Sequence, residues 1–103
     1  MYQHLVQILL PLTDNEGRAF QPNLYEEVRA ELVRRFGGLT AYTRSPAQGV
    51  WSGTGEVAHD DIIVLEVMCR DLDEAWWSAC RRGLERLFRQ ESIIVRAQEV
   101  RLL

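Results

Sequence analysis

Ile62-Ile63-Val64-Leu65-Glu66-Val67-Met68-Cys69 is the stretch on which the fold turns. Its residues are β-branched or long and apolar, the composition of a strand packed on at least one side. Side chains alternate across a strand, so Ile63, Leu65, Val67 and Cys69 share one face and Ile62, Val64, Glu66 and Met68 the other. The first set is purely apolar. The second holds one carboxylate among apolar neighbours, a costly place for a charge unless something pairs with it.

Downstream of this strand, Asp71 with Glu74 three residues on reads as a helix start with a capping box. Ala75, Trp76, Ala79, Cys80, Gly83, Leu84, Leu87 and Phe88 make the apolar side of that helix. On this reading Trp76 points to the core. Trp77, about 100° round, lies on the flank at the rim, against a pocket or at a subunit contact. Gly83 costs about 1 kcal/mol against alanine in a helix, so close approach to the sheet is its expected compensation. A last strand runs from Ser92 to Leu102, with Ile93, Val95 and Ala97 facing one way and Ile94, Arg96, Gln98 and Val100 the other.

Upstream, Gly53-Thr54-Gly55 is a turn, Val50-Trp51-Ser52 a short strand or irregular edge, and Ser45 to Gly49 a loop. Leu39 to Arg44 is a strand. Before it, Asn23 with Glu26 predicts a capped helix whose stripe is Leu24, Val28, Leu32 and Phe36, ended by Gly37-Gly38. Pro11 to Gln21 is a connection. His4 to Leu10 is a strand so nearly continuous in apolar residues that burial on both faces is expected.

The order is strand, helix, strand, strand, helix, strand. It predicts one α+β domain over residues 1–103 of the ferredoxin-like type, βαββαβ. The four strands form an antiparallel sheet of order 4-1-3-2 with both helices on one face. The other face then carries Leu5, Gln7, Leu9, Ile62, Val64, Glu66, Met68, Ile94, Arg96, Gln98 and Val100, joined by Thr40, Tyr42 and Arg44. That face is too apolar to be left bare. A homodimer through the sheet face is the simplest cover, since two-fold pairing is the commonest oligomer; a monomer with the Trp51 loop folded over the sheet is the alternative. Gln7, Tyr42, Arg44, Glu66 and Arg96 are the polar groups there, and hence the candidate ligand-binding residues. Arg96 is the expected partner of Glu66, within one chain or across the dimer axis.

Several function classes are disfavoured. The 103 residues carry a formal net charge of −3, which argues against a nucleic-acid surface. Every basic side chain is arginine, so lysine chemistry is excluded. Cys69 and Cys80 form no C-x-x-C pair and fit packing roles in a reducing compartment. His59-Asp60-Asp61 holds metal-ligand types, but adjacent residues diverge and a solvated turn explains them, so no metal is expected. Gly49, Gly53 and Gly55 lack the Lys and following helix of a phosphate loop. No Ser-His-Asp signature, copper-chaperone cysteine pair or RNA-binding aromatic pattern is present. No cofactor is expected. The apolar start is too short to cross a bilayer and carries no basic leader, so a cytoplasmic protein without membrane contact is expected.

Arg35-Phe36-Gly37-Gly38-Leu39-Thr40, Gly49-Val50-Trp51 and Phe88-Arg89-Gln90-Glu91-Ser92-Ile93-Ile94-Val95 resemble a family of small bacterial proteins known as a domain of unknown function. That resemblance implies no activity. In fold the chain also resembles the dimeric α+β barrel proteins, a group of small monooxygenases, isomerases and non-catalytic ligand binders. Haem-degrading members pair an Asn with a Trp and a His. Here Asn15 and Asn23 fall in a connection and at a helix start, so those roles do not carry over. The resulting expectation is a homodimeric protein that binds a small organic molecule without recognisable catalytic groups. A cofactor-independent monooxygenase or isomerase using the same cavity is one alternative, and a structural or partner-binding dimer the other.

Overall fold

The computed structural model describes residues 1–44, 49–50, 57–58 and 62–103, with the backbone alone at Arg44, Gly49, Val50, Val57 and Ala58. Trp51, the Gly53–Gly55 turn and His59-Asp60-Asp61 lie outside the described residues. The elements are β1 (Tyr2–Pro11), α1 (Pro22–Phe36), β2 (Thr40–Arg44), β3 (Gly49–Val50), β4 (Val57–Ala58), β5 (Ile62–Cys69), α2 (Glu74–Leu87) and β6 (Ile94–Arg101). The main sheet is antiparallel in the order β2-β5-β1-β6, and β3 pairs with β4 as a separate ribbon. Counting only the sheet strands, this is 4-1-3-2, the ferredoxin-like α+β arrangement.

β1 alternates, where burial on both faces was expected. Val6, Ile8 and Leu10 are at most 1% exposed, while Leu5, Gln7 and Leu9 are half-buried. The inward set joins Ile63, Leu65, Val67, Ile93, Val28, Leu32, Trp77, Leu84 and Phe88 in one core between sheet and helices. Ala97, assigned to that inner side, is exposed in edge strand β6. Val64, on the outer face between its cross-strand neighbours Leu9 and Tyr42, is nonetheless 1% exposed within one chain.

Both helix starts differ from the sequence reading. α1 begins at Pro22, not Asn23, and Gln21 is its N-cap without a side-chain cap bond. Proline holds the residue before it extended, and Gln21 sits at ψ 136°. At the first helical position proline's missing N–H costs nothing, so Pro22 starts the helix and Asn23 is absorbed into it. Gly37 ends it in the left-handed conformation at φ 83°, its N–H donating to Val33 O.

At α2 the cap is Asp73 rather than Asp71. Its Oδ1 accepts the Trp76 N–H at 3.0 Å. Trp77, Leu84 and Phe88 are buried and Trp76 is half-buried, so the roles of the two tryptophans are reversed. Trp77 stacks on Phe36 with ring centroids 5.1 Å apart, and Trp76 meets both rings edge-on. Arg35 lies over Trp76 at 4.2 Å, which covers that half-buried ring. Ala75, Ala79 and Leu87 face outward.

Two polar contacts tie the layers together. The Tyr25 hydroxyl donates to Pro11 O at 2.6 Å, joining α1 to the end of β1, and burial raises its pKa. Glu85 accepts two bonds from Arg81 Nη1, and its Oε2 accepts the Ile93 N–H at 3.0 Å, which fixes the entry to β6.

Gly83 does not approach the sheet. A Cβ built there meets nothing within 4 Å, because the residue lines a groove between α1 and α2 beside Val28, Leu32 and Cys80. Gly83→Ala is therefore expected to raise the denaturant midpoint, by about 1 kcal/mol of helix propensity. A lower midpoint would mean that a neighbour fills that groove. Glu85 supplies a pH dependence. The Ile93 N–H, and then Arg81, hold its carboxyl below the ordinary value of 4.5. A depressed carboxylate stabilises the fold above its unfolded pKa and loses that contribution as pH falls through the folded one. The unfolding midpoint should fall below about pH 4.5, and Glu85→Gln should flatten that limb. An identical acid limb in the variant would show that Glu85 contributes nothing.

Candidate functional site

The register places side chains of the outer sheet face in rows. Gln7 stands opposite Glu66 on one side and Arg96 on the other, and Glu66 stands opposite Thr40. The next row is Tyr42, Val64, Leu9 and Ile94, and the row on the opposite side includes Met68, Leu5 and Gln98. A polar row thus lies between two largely apolar ones. Both helices pack on the inner face, so neither covers this one. Tyr42, Met68 and Ile94 are 39%, 41% and 54% exposed on it.

The polar row is hydrogen-bonded from edge to edge. Tyr42 reaches diagonally from β2, and its hydroxyl donates to Glu66 Oε1 at 2.5 Å. Gln7 Nε2 donates to the same oxygen at 3.2 Å. Arg96 Nε donates to Gln7 Oε1 at 2.8 Å. Four side chains from β2, β5, β1 and β6 are therefore joined. Glu66 is half-buried, and two donors on one carboxylate oxygen offset part of its lost hydration.

Four of the five residues singled out from the sequence are thus brought together. The fifth, Arg44, stands opposite Ile62 at the end of β2, four residues and about 13 Å along the strand from Thr40. The pairing of Glu66 with Arg96 inside one chain is replaced by a bridge: the Gln7 amide lies between them, and among the described residues the two charges form no direct ion pair.

Two hollows flank the row. One of about 410 Å³ is lined by Glu66, Thr40, Met68, Leu5 and the Gly37-Gly38 turn. The other, about 630 Å³, lies at the far end of the sheet between Leu9, Ile94, Ile62 and the polar Asn15 and Ser92. The sequence reading missed both. The first had a signal in the glycine pair: a Cβ at either glycine would meet nothing within 4 Å, so the helix end leaves open space beside Glu66.

What the row offers chemically is hydrogen-bond donors and acceptors and two opposite charges. Burial raises the Cys69 and Cys80 thiols, helped by Asp71 and Glu31 respectively, so neither is a ready thiolate. The His4 ring bonds Arg70 O through Nδ1 at 3.1 Å, at the end of β1 away from Ile62. Among the described residues no group of three His, Cys, Asp or Glu side chains could hold a metal ion. No described helix is long and apolar enough to cross a membrane.

No family model matches the chain, and no curated protein matches it in sequence. Solved structures do match in fold. A phage SAM lyase in complex with S-methyl-5'-thioadenosine is similar with a TM-score of 0.63 at 15% identity, over 94% of this chain and 81% of that one. CutA1 from Oryza sativa is similar with a TM-score of 0.54 at 13% identity, over 99% and 83%. A phage SAM lyase in the apo state gives 0.52 at 17% identity, over 95% and 79%. These likenesses establish the ferredoxin-like α+β fold and carry no residue role.

The row makes one stability prediction. Tyr42→Phe removes a donor to a half-buried carboxylate and should cost about 1 kcal/mol in chemical unfolding. An unchanged midpoint would place the Tyr42 hydroxyl in solvent and break the row at β2.

Proposed function

We propose that this chain binds a small organic molecule on the outer face of its sheet and that it works as a homodimer, two copies closing that face around the ligand. The observation that carries the reading is the hydrogen-bonded row Tyr42–Glu66–Gln7–Arg96, set between apolar rows on a face that neither helix covers. Small-molecule sites combine an apolar lining with a few placed polar groups, and this face has that composition. Exposed Met68 and Ile94 are the surface a second copy would bury.

Among the enzymatic alternatives, a cofactor-independent oxygenase or isomerase would use the same face. The row lacks a histidine–carboxylate pair for proton transfer, which favours binding without chemistry. A structural dimer, with the row only fixing how two sheets register, is the other reading. The hydrogen bonds that join Tyr42, Glu66, Gln7 and Arg96 to one another favour it. The fold neighbour in complex with S-methyl-5'-thioadenosine makes a nucleoside a reasonable first compound, though likeness of fold does not transfer a ligand.

Light scattering at micromolar concentration should give twice the 11.9 kDa chain mass. Met68→Arg or Ile94→Arg should give monomer, since each would bury an unpaired charge at the contact. Val64 is unsuited to this test because one chain already buries it. In a thermal-shift panel of metabolites that includes S-methyl-5'-thioadenosine, a ligand should raise the melting temperature by mass action. Glu66→Gln should keep the dimer and lose that rise. A flat panel, or a shift unaltered in Glu66→Gln, would refute binding at the row. Loss of the dimer in Glu66→Gln with no ligand response in either protein would support the structural reading.

A further inference from the structure

We infer that the ligand of the outer sheet face is bifunctional: an ammonium or hydroxyl donor for Glu66 and a carboxylate or phosphate for Arg96, joined by an apolar linker whose length Gln7 sets. This rests on the binding reading above and adds the chemical class of the ligand. A carboxylate only accepts hydrogen bonds and a guanidinium only donates them. Gln7 between them therefore has one orientation, nitrogen to Glu66 and oxygen to Arg96, as its two bonds show. The amide separates the opposite charges and leaves part of each unspent.

At Glu66 both donors converge on Oε1, and among the described residues Oε2 accepts no bond. At Arg96 only Nε is used, and among the described residues Nη1 and Nη2 donate to nothing. That pair of nitrogens matches the two oxygens of a carboxylate or phosphate. The open oxygen of Glu66 suits an ammonium or hydroxyl. Glu66 and Arg96 stand one strand to either side of Gln7, so their backbones are about 9.6 Å apart. Leu9 and Ile94 on one side of the row, and Leu5 and Met68 on the other, supply apolar walls for the linker.

The test is a titration of the ¹⁵N-labelled protein, read by NMR, with 4-aminobutanoate, 6-aminohexanoate, 8-aminooctanoate, hexylamine and hexanoate. The expected result is tightest binding by 6-aminohexanoate or 8-aminooctanoate, with shifts centred on Gln7, Glu66 and Arg96. The shorter 4-aminobutanoate and both single-function probes should bind about tenfold more weakly. Glu66→Gln should bring 6-aminohexanoate down to the affinity of hexanoate, and Arg96→Met should bring it down to that of hexylamine. Dispersed spectra establish that each variant is folded. Equal affinity for one- and two-function probes, indifference to chain length, or no binding by any probe overturns the inference. A metabolite hit that depends on Glu66 would keep the binding reading when the bifunctional class fails. Without such a hit, both fail.

Discussion

A four-stranded sheet has two faces, and the two described helices both pack on one of them. Alternation along β1 and β5 sends Val6, Ile8, Leu10, Ile63, Leu65 and Val67 inward, where α1 and α2 bury them. The same alternation sends Leu5, Leu9, Ile62, Met68 and Glu66 to the side neither helix covers. Moving a strand by one residue would exchange these sets, so burial of the core and composition of the outer face are fixed by one register.

Glu66 is where that constraint is most costly, and the structure meets it with neutral partners. Tyr42 and Gln7 donate to its carboxylate, and Arg96 reaches it only through the Gln7 amide. A direct pair would have consumed both charges. The bridge holds them apart at defined positions on the two strands that flank β1. Placement on adjacent strands of the sheet makes the arrangement stiff, since each donor is carried by backbone already fixed in the ladder.

Much of this was legible in the sequence. Ile62–Cys69 read correctly to its ends, and the strand order followed from the sequence of elements. Parity alone grouped Gln7, Glu66 and Arg96, because side-chain direction in a strand depends on nothing but position. Helix ends were less legible, since two chemistries competed at each. Pro22 overrode Asn23, and Asp73 overrode Asp71, each shifting the start by one or two residues. The exchange of Trp76 and Trp77 has a similar cause: their stripes are adjacent, and Phe36, from the other helix, stacks on Trp77. Gly83 misled because its cost was assigned to the sheet, while its space lies between the helices. The Gln7 bridge was also out of reach. Register names neighbours, but whether an arginine meets a carboxylate or an amide first depends on side-chain geometry.

A crystal structure of the purified protein tests the central claim most directly, that the outer sheet face is where this chain engages its partners. Two copies packed sheet to sheet are expected, with Gln7, Glu66 and Arg96 lining an enclosed space and the Gln7 amide still between the two charges. A structure in which that face meets only solvent in every copy, with Arg96 turned away from Gln7, would contradict it.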